Sequence, residues 1–137
     1  MATASVNEAS AAGITLTLTS LADNNWRQSA VVDNGTTKYL DANVGGSVQV
    51  GTSPDNGGQI DVYVYATWDG TNYTAGASGS DAAYTANGEE VQLRLLASIV
   101  VDATSDQDYS WGPRSVCEAL GVRFLPSKWG LVVHNQT

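Results

Sequence analysis

The 137-residue chain is long enough for one domain with a single hydrophobic core, and folding at this size buries roughly two-thirds of the unfolded surface without covalent staples. Fourteen acidic residues against six basic ones give a net charge of -8, with Lys38 and Lys128 the only lysines; that balance excludes a phosphate-binding surface of the kind nucleic acid needs. One cysteine, Cys117, excludes an internal disulfide framework and reads as a small buried hydrophobe.

Residues 1–13, "MATASVNEASAAG", are small and polar. They contain neither the basic start and apolar run of an export signal nor a membrane span, so the expectation is a chain that stays in the cytoplasm where it is made. Such a segment is too poor in bulk to fold alone and reads as an N-terminal arm, which fully extended reaches about 45 Å, enough to cross a neighbouring subunit. The globular domain is expected over residues 14–137.

From Gly13 onward the text alternates. In "ITLTLTSL" the residues Ile14, Leu16 and Leu18 alternate with Thr15, Thr17 and Thr19, the pattern of a half-buried strand with a β-branched outer face. A second strand is expected from about Trp26 to Val32, closed by the Asp33-Asn34-Gly35 turn signal. "TKYLDANV" and "GSVQVG" read as two strands or as one long strand bent at Gly45-Gly46. The next, "QIDVYVYAT", carries Ile60, Val62, Val64, Ala66 and the following Trp68 on a core face, with Asp61, Tyr63, Tyr65 and Thr67 opposite.

Asp69-Gly70 is a turn, and the Gly-, Ala- and Ser-rich stretch after it, about twenty residues, has no clear period. In "VQLRLLASIVVD" the alternation predicts Leu93, Leu95, Ala97, Ile99 and Val101 inward and Gln92, Arg94 and Ser98 outward. "DYSWGPRSV" reads as a strand broken at Gly112-Pro113, "SVCEALGV" as one helical turn ended by Gly121, and "KWGLVVHNQ" as a last strand. About eight short strands and almost no helix define an all-β, antiparallel two-sheet β-sandwich, expected to be jelly-roll-like.

Catalytic signals are thin. His134 is the only histidine, and no G-x-S-x-G, H-E-x-x-H, P-loop or Rossmann fingerprint occurs, so the expectation is a protein that is not an enzyme and has no cofactor. A conventional zinc site lacks ligands. "DATSDQD" places Asp102, Asp106 and Asp108 within seven residues, the candidate ligands for calcium, although the segment lacks the glycine and terminal glutamate of an EF-hand loop. Aromatic side chains beside loops and on the tyrosine face are the contact candidates: Tyr63, Tyr65, Tyr73, Trp111 and Trp129.

Three segments, "VDNGTTKYLDANV", "IDVYVYATWDGTNYT" and "LRLLASIVVDATSDQDYSWGPRSV" continuing to "LPSKWGLVVHN", together resemble small virion structural proteins of tailed bacteriophages, of the head decoration or cement type. The likeness spans roughly Val31 to Asn135 and contains no catalytic signature. It implies a β-sandwich protomer made in the infected cytoplasm that joins the virion by protein–protein contact. The partners it implies are the major capsid protein and copies of the chain itself, as a homo-oligomer with a trimer favoured, and neither nucleic acid nor membrane. The rival from another class is a carbohydrate-binding module or host-recognition component of a tail fibre, which needs a coplanar aromatic platform near polar residues such as Asp69 or Asn72.

Overall fold

The computed structural model describes residues 12–36 and 38–137. Eight strands and one short helix appear among them: β1 (Trp26–Gln28), β2 (Val32–Asp33), β3 (Asn43–Gln49), β4 (Gln59–Thr67), β5 (Ala82–Tyr84), β6 (Arg94–Val100), β7 (Asp108–Ser115), α1 (Val116–Leu120) and β8 (Lys128–Gln136). The larger sheet runs β5-β1-β8-β4-β6 with β2 also paired to β8, and β3 and β7 form a separate ribbon; every pairing is antiparallel. The protein is an all-β sandwich, its eight strands divided six and two.

The interior between the layers is built by alternation. Ile60, Val62, Val64 and Ala66 of β4 and Leu131 and Val133 of β8 meet Val44 of β3 and Val116 of α1, all buried. β8 is central because "KWGLVVHN" supplies apolar residues to both faces, and Leu131, Val132 and Val133 are all 3% exposed or less. Around Gly45-Gly46 the chain is one strand with a bulge between Val44 and Gly46, but it begins at Asn43, and Lys38 to Ala42, read as strand, lie outside it.

α1 follows from its caps. Ser115 Oγ accepts from Glu118 N at the start, and Gly121 takes the left-handed conformation, φ 68°, at the end. β7 continues through Gly112-Pro113 where a break was expected, since the ribbon has only one partner strand to satisfy.

Ile14 to Leu18 does not enter a sheet. Its alternation is real, with Ile14, Leu16 and Leu18 packed against the core and Thr15 and Thr17 exposed. Its backbone is held instead by Ala30 N donating to Thr15 O and by Thr17 N donating to Asp81. Asp81 also accepts from Thr17 Oγ1 at 2.6 Å and pairs with Arg27 at 2.9 Å. The side chains obey period 2 while the main chain lacks a strand neighbour.

Candidate functional site

β4 is buried on both faces, which relocates most of the expected contact aromatics. Tyr65 is fully buried, in a second core with Ala75, Ala77, Tyr84, Leu93 and Val132. Its hydroxyl donates to Ser29 O at 2.8 Å, and its ring meets Tyr73 edge-on at 5.7 Å. Burial pushes the phenol up to about 12. The stretch after Asp69-Gly70, aperiodic in sequence, folds back over this face through 3₁₀ turns at Thr74–Gly76 and Glu89–Gln92 and turns it into core. Tyr65 is therefore not a contact residue.

Trp129 is 3% exposed and lies in the first core, so it too is corrected from contact to core. Trp111, Tyr63 and Tyr73 are half-buried and packed against one core or the other. Trp68 moves the opposite way: it was expected on the core face and is 57% exposed, because β4 ends at Thr67 and the chain turns.

The turn that presents Trp68 is tightly bonded. Asp69 accepts from Thr67 Oγ1, from the backbone N–H groups of Thr71 and Asn72 and from Asn72 Nδ2, all between 2.7 and 2.8 Å. The Asn72 amide, with the two backbone donors, holds the Asp69 carboxyl far below the usual carboxylate range. The Asp69 carboxylate is thus occupied by the loop's own donors, with the Trp68 indole exposed beside it.

Across the sheet, register places Ser98 of β6, Asp61 of β4, His134 of β8 and Trp26 of β1 in one row. Asp61, 9% exposed, accepts from Ser98 Oγ at 2.6 Å and Gln136 Nε2 at 3.0 Å, with Tyr63 Oη at 3.4 Å. His134 lies flat on Trp26, ring centroids 3.7 Å apart and 6° from parallel. Burial lowers its pKa, with Asp61 and Asp23 pulling the other way. A Ser, an Asp and a His here are in the wrong order for nucleophilic catalysis. The carboxylate sits between the other two, the hydroxyl is donated to it, and the imidazole is stacked instead of bridging.

The open apolar surface lies elsewhere, at the edge strand β6. Leu95 is 53% exposed and Val100 60%, and Val91 just before the strand is exposed as well. A register shift opposite Val62 and Tyr63 lets Leu96 take an extra inward place, so Leu95, expected inward, pairs with Tyr63 on the other face. From Leu95 to Val101 no charged residue occurs. A second apolar pair, Leu40 and Phe124, is brought together where Leu125 N donates to Leu40 O. Single loop hydrophobics of this kind give no periodic signal, and sequence reasoning missed this pair.

Asp102, Asp106 and Asp108 are not gathered as ligands: among the described residues no group of three or more His, Cys, Asp or Glu is placed to hold a metal ion. Asp102 instead accepts from Thr104 N at 2.7 Å and Tyr109 Oη at 3.0 Å, a turn that closes the β6–β7 connection. Cys117 is buried and donates to Leu40 O, and burial beside Asp41 pushes its thiol up to about 11. No helix among the described residues is long and apolar enough to cross a membrane. Residues 1–11 of the expected arm lie outside the described residues.

Fold and surface thus define an antiparallel β-sandwich whose offered groups are apolar side chains at a sheet edge and one indole on a rigid turn. Comparison with protein-family models, with curated proteins and with solved structures finds no match for the chain.

Proposed function

We propose that the chain is a non-enzymatic structural protein of a tailed-bacteriophage virion, of the head decoration type, that binds the particle exterior through protein–protein contacts. The observation that carries this reading is the β6 edge, where Leu95 and Val100 stand in solvent on a strand that has one partner strand among the described residues and no charge after Arg94 at its start. Edges of that kind are normally blunted by lysine, proline or a covering loop, so one left apolar along most of its length is expected to be covered by a neighbour. The resemblance of Val31 to Asn135 to decoration proteins, the dispersed acidity and the stacked, non-bridging His134 all fit the same role. On a symmetric shell many copies bind together, so modest apolar contacts at each suffice. The partners under this reading are the major capsid protein and copies of the chain, trimers at symmetry positions, with assembly in the host cytoplasm.

The test is occupancy on particles that carry the gene. Leu95→Glu with Val100→Glu should lower binding to heads stripped of the protein by at least about tenfold, with the melting midpoint unchanged. Wild-type occupancy in the double variant removes β6 from the contact, and no binding by the parent chain sinks the virion reading.

Glycan binding is the second reading, favoured by one observation, the exposed Trp68 beside Asp69 and Asn72. Tyr73 stands edge-on to Tyr65 and Trp111 is packed on the first core, so the platform moves from those residues to Trp68. Glycan-array binding lost in Trp68→Ala supports it, and an empty array rejects it.

A further inference from the structure

Three observations converge on the side of the sandwich where β3 ends the smaller layer. The first is an opening. A groove of about 970 Å³ lies between the layers, walled on one side by Ile14 and Leu16, on the other by Gly46 and Ser47 of β3, and floored by Val62 and Trp129. Two strands cannot cover a sheet of five in a row, and the uncovered width falls here.

The second is an edge. β3 pairs with β7 on one side and with no strand on the other among the described residues. From Asn43 to Gln49 it carries neither a charge nor a proline, whereas β7 carries Asp108, Pro113 and Arg114. β7 has the usual guards against strand addition and β3 has none. The third is an orphan donor: Trp129 is 3% exposed, lines the groove, and its indole Nε1 has no hydrogen-bond partner among the described residues.

One kind of occupant answers all three. An extended polypeptide fills the missing width, pairs its main chain with β3 and brings carbonyl oxygens to the indole; an apolar small molecule does only the first. We infer that the groove receives residues 2–8 of the N-terminal arm of a second copy, added as a third strand beside β3. That inference rests on the reading that copies of the chain assemble with one another.

The chain's own geometry selects this occupant. Ala12 and Gly13 line the groove, so the arm departs from its rim, and the eleven residues before Ala12 span about 36–40 Å when extended. The sequence "ATASVN" alternates Ala2, Ala4 and Val6 with Thr3, Ser5 and Asn7, as a strand with one face inward requires. Donation within one chain needs a reversal between residue 8 and Ile14; the described part of that span, Ala12 and Gly13, has no turn or bend, and Thr17 is tied to Asp81. In a closed ring each copy then gives one arm and receives one.

The test uses two single variants, Ser5→Cys and Ser47→Cys, both outward in the inferred pairing, co-expressed so that mixed assemblies form, then oxidised. Cys117, buried and with its thiol pushed up to about 11, is a spectator. A covalent dimer joined between positions 5 and 47 is expected, at several times the yield obtained when Thr85→Cys, exposed just past β5, replaces Ser47→Cys. Equal yields, or no dimer, overturn the inference. So does a Ser5→Cys, Ser47→Cys double variant that closes only within its own chain. Purified chain suffices for all of this. The head-binding result can therefore fail while the cross-link stands, or the reverse.

Discussion

Tyr65 and Gly130 are cross-strand partners on β4 and β8, and the tyrosine ring occupies the space in which any other residue at 130 would place its Cβ. The second core is organised around this contact, since the ring can lie flat on the sheet only where the neighbouring strand has no side chain. Gly130→Ala should therefore destabilise the protein by about 1–3 kcal/mol through overpacking, measured by urea unfolding. Tyr65→Ala should cost about 3–5 kcal/mol, whereas a surface contact residue at 65 would leave the unfolding midpoint unmoved.

Alkaline pH should weaken the fold through the same phenol. The pKa of Tyr65 is raised by burial to about 12, so its contribution is complete below the unfolded value near 10 and is lost as pH rises from 10 toward 12. Thermal midpoints should fall across that window, and Tyr65→Phe should flatten the fall. An equally steep decline in the Phe variant would place the effect elsewhere.

At mildly acidic pH the sensitive group is His134. Its pKa is lowered by burial against Trp26, so the folded state resists protonation. Stability is complete above the unfolded value near 6.5 and declines as pH falls below it, because the unfolded chain then binds the extra proton. His134→Gln should remove this part of the acid dependence, read as the difference in thermal midpoint between pH 7.5 and pH 5.5.

Asp81 ties the segment before β1 to the larger sheet. Its hydrogen bonds from Thr17, assisted by Arg27, hold its carboxyl below the usual range. That contribution is present above the unfolded value of 3.8 and disappears as pH falls below it. Asp81→Asn should raise amide hydrogen exchange selectively over Ile14 to Leu18, with β4 and β8 unchanged.

Cys117 should be inert in the native protein. With its thiol pushed up to about 11, about one molecule in ten thousand carries the thiolate at pH 7. Reaction with a disulfide reagent should be slow until denaturant is added. Rapid native labelling would contradict its burial.

Local chemistry was legible in the residues alone. The strand patterns of β4 and β8, the bend at Gly45-Gly46, the Asp69-Gly70 turn and the helical turn ended by Gly121 each depend on a few neighbouring side chains, and each stands where the sequence placed it. The all-β class follows from the same signals. For the candidate site, little was legible. Among the aromatic contact candidates, Tyr65 and Trp129 are core, and the exposed apolar groups are Leu40, Trp68, Val91, Leu95, Val100 and Phe124.

The reason is that period 2 separates the two faces of a strand without saying what covers either one. Tyr65 became core because an aperiodic loop folded onto it from residues ten and more positions away. Leu95 came to the surface because one bulged residue, Leu96, shifted the phase of β6 against β4. Ile14 to Leu18 kept a strand's alternation and found no strand to pair with. Alternation, turn chemistry and caps are local energies and were set by the sequence directly. Exposure, register and sheet membership depend on contacts between distant segments, and those the tertiary structure alone decided.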